Sequence, residues 1–149
     1  MMRVMLTRAV VLVHAGVAAL WLGAMAYSLF TVQPKLAAMT GGGDPGRVED
    51  AQRILAHGNR WRVVALIATL WASGAALVAL DPGDWAVVGA KAALLAAASG
   101  LFWWISWRGW PRRVFALPAE LPALQRRFRA IAVTMLLLVG AAFAVSYLT

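Results

Sequence analysis

The 149-residue chain contains no cysteine. That absence removes disulfides, thiolate metal sites and Cys-linked haem from consideration. Acidic residues are scarce as well, six Asp and Glu in all. Asp44, Glu49, Asp50, Asp81, Asp84 and Glu120 all fall in loops or at helix starts. With no carboxylate inside an apolar run, a proton-pumping carboxylate relay and a carboxylate-bridged di-metal centre are excluded. There is no nucleophile elbow, P-loop or GxGxxG pattern. The ten-residue alternation that a membrane β-barrel needs is missing too.

What the chain does have is apolar residues in long runs. They make up 62% of it, and the mean hydropathy is +0.74. A soluble domain of this size is less apolar, so the expectation is an integral membrane protein. Four spans can be marked, at about 9–32, 63–80, 85–107 and 130–148, each near the ~20 residues that cross a hydrocarbon core. The expected fold class is all-α: a single-domain membrane four-helix bundle over residues 1–149, antiparallel. Arg3, Arg8 and the Ala24-Met25-Ala26 triplet imitate a signal peptide. The apolar run continues to Val32, however, well past the ~7–15 residues of a signal core.

The net charge of +8 comes from fourteen Lys and Arg against the six acids. In a soluble protein it would raise the question of nucleic acid; beside membrane spans it marks orientation instead. Lys35, Arg47, Arg53, Arg60 and Arg62 lie between spans one and two. Arg108, Arg112, Arg113, Arg126, Arg127 and Arg129 lie between spans three and four. The opposite side has only Arg3 and Arg8, with Asp81 and Asp84 in its turn. The positive-inside rule then puts both basic loops in the cytoplasm and both termini outside, in the periplasm if this is a bacterial inner-membrane protein. Trp61, Trp103, Trp104, Trp107 and Trp110 gather at the cytoplasmic boundary, and Trp85 and Tyr147 mark the outer one. Such belts are anchors in the bilayer; Trp21 and Trp71 lie deeper.

Between the spans, Gly41-Gly42-Gly43 reads as a flexible break after Pro34. Asp44-Pro45 reads as an N-cap followed by Pro at the first helical position. A second helix is expected from Pro45 through Arg60 into the membrane. Asp81-Pro82-Gly83-Asp84 reads as a tight turn joining neighbouring helices two and three, with helix three starting near Pro82. Pro111, Pro118 and Pro122 are expected to break the second basic loop. Small residues are expected at helix contacts: Gly16, Ala19 and Gly23 in span one, Ser73, Gly74 and Ala75 in span two, and Ala92, Ala93, Ala96, Ala97 and Gly100 in span three. Thr69 and Ser73, four apart, are placed to hydrogen-bond within or between helices.

Chemistry concentrates in span one. His14, Trp21 and Met25 share a helical stripe through spacings of seven and eleven. An ionisable side chain inside a span is a functional-site hypothesis by default. A neutral imidazole there ligates copper or haem iron; the plain alternative is a His satisfied by a neighbouring hydroxyl and a water. Lys91, ~13 Å along helix three, falls at a depth comparable to His14. It suits a haem propionate, a substrate carboxylate or an exchangeable proton, or it snorkels to the headgroups with no further role. His57 sits at the far boundary and reads as structural. Met5, Met25 and Met135 are soft donors for Cu(I), of which only Met25 lies on the His14 stripe.

His14 followed by Leu20-Trp21-Leu22-Gly23, then Gln33-Pro34, resembles the copper resistance D-type membrane domain. So do Gly89-Ala90-Lys91-Ala92-Ala93-Leu94-Leu95 and the Arg126-Arg127-Phe128-Arg129 run before span four. The resemblance covers nearly the whole chain in order. It implies a four-helix inner-membrane protein of bacterial type that imports or handles copper. A related group is similar in having an intramembrane His and Lys, the bacterial four-helix protoporphyrinogen oxidases, which bind haem b. Carried over by position, His14 would be the axial or metal ligand and Lys91 its partner; Trp21, on the His14 stripe, is a candidate neighbour of the bound group. The resulting expectation is a metal or haem site at His14 and Lys91, with copper handling first. An oxidase acting on a tetrapyrrole through haem b is one alternative. The other is a structural or assembly subunit of a larger membrane complex. One His per chain also permits bis-His ligation across a homo-oligomer.

Overall fold

The computed structural model describes residues 1–39, 45–81 and 83–148, without the side chains of Pro45, Tyr147 and Leu148. The regular structure among these residues is helical. We number the helices α1 (Met2–Met39), α2 (Pro45–Ala56), α3 (Asn59–Leu80), α4 (Trp85–Val114) and α5 (Leu121–Leu148). α1, α3, α4 and α5 are long and apolar enough to cross a membrane. In lipid a helix is the natural solution, because it satisfies each backbone group within its own segment.

Pro111, expected to break the second basic loop, lies inside a helix, as Pro34 does. α1 runs on through Pro34, and α4 through Pro111. Each helix instead widens into a π turn just upstream, at Ser28–Val32 and Ile105–Gly109. The cause is local. A helical proline offers no N–H, and its ring collides with the carbonyl four residues back, Phe30 for Pro34 and Trp107 for Pro111. In each helix that carbonyl belongs to the π turn. The bonds there reach back five residues: Gln33 N–H donates to Ser28 O, and Trp110 N–H to Ile105 O. At the second turn, Pro111 would owe the next such bond to Ser106 O. Arg60 supplies it from α3, donating from Nη2 at 2.7 Å.

The helix expected from Pro45 through Arg60 is two helices. α2 ends at Ala56, and Gly58 turns the chain with φ 73° before α3 starts at Asn59. Only glycine holds that left-handed geometry without strain. On the opposite side Gly83 has φ 56°, and Asp84 caps α4 by accepting from Ala86 N–H at 2.8 Å. α4 therefore starts at Trp85, three residues later than expected. The Gly41-Gly42-Gly43 break, the Asp44 cap and Pro82 fall outside the described residues.

α1 packs against α3 and α5, and α4 packs against α5. α3 and α4 are joined more thinly, through Arg60 to Ser106 and Trp71 Nε1 donating to Ser99 Oγ at 3.3 Å. The shared core takes one or two residues from each long helix: Trp21, Leu70, Ala98, Met135 and Val139. Ala98 is fully enclosed. Most of the small residues expected at contacts are not there. Gly16, Ala19, Gly23, Ala93, Ala96, Ala97 and Gly100 are all exposed, and a Cβ built on Gly16, Gly23 or Gly100 would meet nothing within 4 Å. Large side chains fill the centre instead, and Ser73 and Gly74 are the small pair that helices α1 and α3 use.

At the other end, α2 is fastened to the last turn of α4. Arg113 Nε donates to Glu49 Oε2 at 2.7 Å, and Arg113 Nη2 donates to Gln52 Oε1. Arg53 adds a bond to Val114 O at 3.0 Å. Glu49 and Arg113 are both buried. The aromatic cluster expected there is in contact: Trp103 stacks on Trp107 at 4.1 Å, Trp61 meets Trp107 edge-on, and Arg127 lies over Trp104 at 4.8 Å.

Candidate functional site

His14 lies half-buried on the face of α1 that meets α3. Its Nδ1 is 2.7 Å from Ser73 Oγ. Ser73 is buried, and its hydroxyl is also 2.6 Å from Thr69 O and 3.2 Å from Leu70 O, the carbonyls of its own preceding turn. Both carbonyls can only accept, so a hydroxyl proton given to either one leaves Ser73 to accept from the imidazole. In that arrangement the ring proton sits on Nδ1 and the lone pair on Nε2. A ring fixed in this way is a preset ligand, since an outer hydrogen bond sets tautomer and orientation together.

Gly74 gives the ring its space. A Cβ there would stand 3.4 Å from His14 Cε1 and 4.0 Å from Nδ1. A methyl is tolerable at that range and a larger side chain is not. Gly74→Ala should therefore keep the Nδ1–H signal of His14 in 15N NMR of a His57→Gln background. Gly74→Leu should displace the ring and lose it.

The second expected residue lies within electrostatic range of the first, without a hydrogen bond to it among the described residues. Lys91, half-buried on α4, is near enough for its charge to act on the His14 ring. Among the described residues it has no carboxylate partner. The other two expected residues do not join. Trp21 is 1% exposed, enclosed by Leu70, Ala98 and Met135, and serves as the centre of the core. Met25 packs on the edge of that core. It is eleven residues from His14 on one helix, about 16 Å along the axis, too far to share an ion with it. His57 is exposed at the opposite end of the long helices. No group of three His, Cys, Asp or Glu able to hold a metal occurs among the described residues.

A cleft of about 820 Å³ opens at the basic end and includes neither His14 nor Lys91. The polar pair lies elsewhere. Ligation at the pair needs a directed lone pair more than it needs volume. The Ser73 contact was half visible in sequence as the Thr69/Ser73 spacing; its link to His14 spans 59 residues and leaves no local signal. No family model matches the chain, and no curated protein or solved structure matches it either.

Proposed function

We propose that this chain is a multi-pass protein of a bacterial inner membrane, an antiparallel four-helix bundle with both termini outside, that ligates the iron of a haem through Nε2 of His14. Lys91 pairs with an anionic substituent of the same group, such as a propionate. The observation that carries the reading is the His14–Ser73–Thr69 chain of hydrogen bonds, which leaves Nε2 unprotonated. Support for the orientation comes from the charge bias of the loops, and support for the antiparallel pairing comes from the contact of Arg3 with Leu80 O at 2.8 Å, which brings the start of α1 to the end of α3.

The residues fit haem better than copper. A porphyrin brings four donors of its own and needs one or two from protein. Copper takes all its donors from protein, and here a lone imidazole stands beside a lysine that repels a cation. Haem, when bound, supplies one-electron redox chemistry. This chain holds the iron through one nitrogen, balances a carboxylate with Lys91, and keeps the ring oriented through Ser73. The copper-handling expectation from the family resemblance would need donors from a second chain.

The purified protein is loaded with haem b in one sample and Cu(I) in another, then desalted. The expected result is a retained Soret band near one equivalent per chain or per dimer, and copper at background. Stoichiometric copper with no Soret band would favour copper handling. Retention of neither sinks the site altogether and leaves the assembly-subunit reading.

A further inference from the structure

We propose that the cleft at the basic end binds a net-anionic, phosphate-bearing amphiphile. Its head would lie against Arg126, Arg129 and Gln125, and its apolar part against Val63, Phe102 and Ala132. The inference is independent of the His14 reading, since the cleft is at the opposite end of the helices.

Three observations converge on it. The first is charge. Arg60, Arg113, Arg126 and Arg129 line the cleft, and no carboxylate among the described residues does. Glu49 balances Arg113 from behind. Arg126 and Arg129 are exposed and have no ion-pair partner among the described residues. A surplus of cations at a membrane boundary attracts anionic headgroups, and basic pockets between spans bind them specifically. The second is an unmet donor. Gln125 lines the cleft, and its buried Nε2 finds no acceptor among the described residues. A buried amide donor without a partner is costly, and a turn of the Gln125 side chain toward the cleft would let a phosphate oxygen satisfy it.

The third observation is shape. Ser28 of the first π turn and Ile105 and Ser106 of the second both face this one cleft. π turns concentrate at functional sites, and both of these open on one cavity. A bare phosphate would leave the apolar walls of Val63, Phe102 and Ala132 wet, whereas an amphiphile covers them. Trp110, also in the lining, belongs to the aromatic belt and sets the cleft at headgroup level.

The test uses the full chain, delipidated in dodecyl maltoside and titrated with dioctanoyl phosphatidylglycerol, dioctanoyl phosphatidylcholine or inorganic phosphate. Thermal unfolding and Trp fluorescence are the readouts. Phosphatidylglycerol should stabilise the protein saturably, while the other two leave it unmoved. The Arg126→Gln/Arg129→Gln pair should weaken that response about thirtyfold, from two arginine contacts. Gln125→Leu should weaken it without unfolding the chain, because the amide donor it removes has no partner to lose. Arg108→Gln/Arg112→Gln, an exposed pair outside the cleft, should change it by less than about twofold. His14→Ala should respond as wild type. An equal response to phosphatidylcholine or to phosphate overturns the proposal. So does an equal loss in the two double variants, which would mean attraction to the whole basic surface.

Discussion

His14→Ala should abolish the Soret band of the haem-loaded protein, and Ser73→Ala should weaken haem retention about 10- to 100-fold while leaving the band's position near that of wild type. The order of these effects follows from the geometry. Alanine at 14 removes the iron donor outright. Alanine at 73 keeps the donor but frees the ring, so that Nδ1 and Nε2 compete for the proton and the ring can rotate. Ser73→Thr keeps the hydroxyl and should recover most of the affinity, which separates positioning from general disruption. Lys91→Met should act differently. It removes the partner of an anionic substituent but leaves ligation intact, so haem b should bind more weakly, whereas its dimethyl ester should bind wild type and variant alike. A Soret band that survives His14→Ala removes this histidine from the site.

These effects should not extend to folding. His14 is only half-buried, and the core residues Trp21, Leu70 and Ala98 do not depend on it. Circular dichroism and detergent elution of His14→Ala should match wild type. The same separation bears on Trp21. Its replacement by Ala would be expected to damage the whole assembly of helices, so a loss of haem in Trp21→Ala says nothing about ligation.

The four apolar helices could be read directly from the sequence, because a run of about 20 apolar residues has few other uses. His14 and Lys91 stood out for the converse reason, as charges or near-charges where lipid penalises them. The helix ends were harder. Pro34 and Pro111 are breakers by the usual steric rule, yet both helices continue by shifting to a five-residue bond pattern. The signal was present: each proline follows directly on a long apolar helix. What the rule does not register is that a helix still at the membrane boundary retains its backbone bonds by widening. Gly58 shows the reverse case. The stretch from Pro45 to Arg60 has helical periodicity, and a single residue with φ 73° divides it. The exposed small residues of α1 and α4 misled for a third reason. Composition ranks them as contact formers, but which face turns inward depends on helices far away in the chain.

The largest stability effect should come from a pair that no local pattern announces. Glu49 and Arg113 are 64 residues apart, and their side chains are 2% and 6% exposed. Arg113 also bonds Gln52 and lies over Phe128 at 5.0 Å and Trp110 at 5.4 Å. One guanidinium therefore ties α2 to α4 and α5. Removing the carboxylate alone strands a buried cation, which costs about 3–5 kcal/mol; Glu49→Ala should lower the unfolding midpoint accordingly. Arg113→Met should cost a similar amount by stranding Glu49. The double variant Glu49→Leu/Arg113→Met leaves no charge behind. It should recover most of the loss, since well-packed apolar replacements of buried ion pairs are often neutral. Unfolding titrations in mixed micelles of the four proteins close a double-mutant cycle. A coupling near zero would mean that Glu49 and Arg113 are separately solvated, and that Arg53 to Val114 O, at 3.0 Å, holds α2 in place without them.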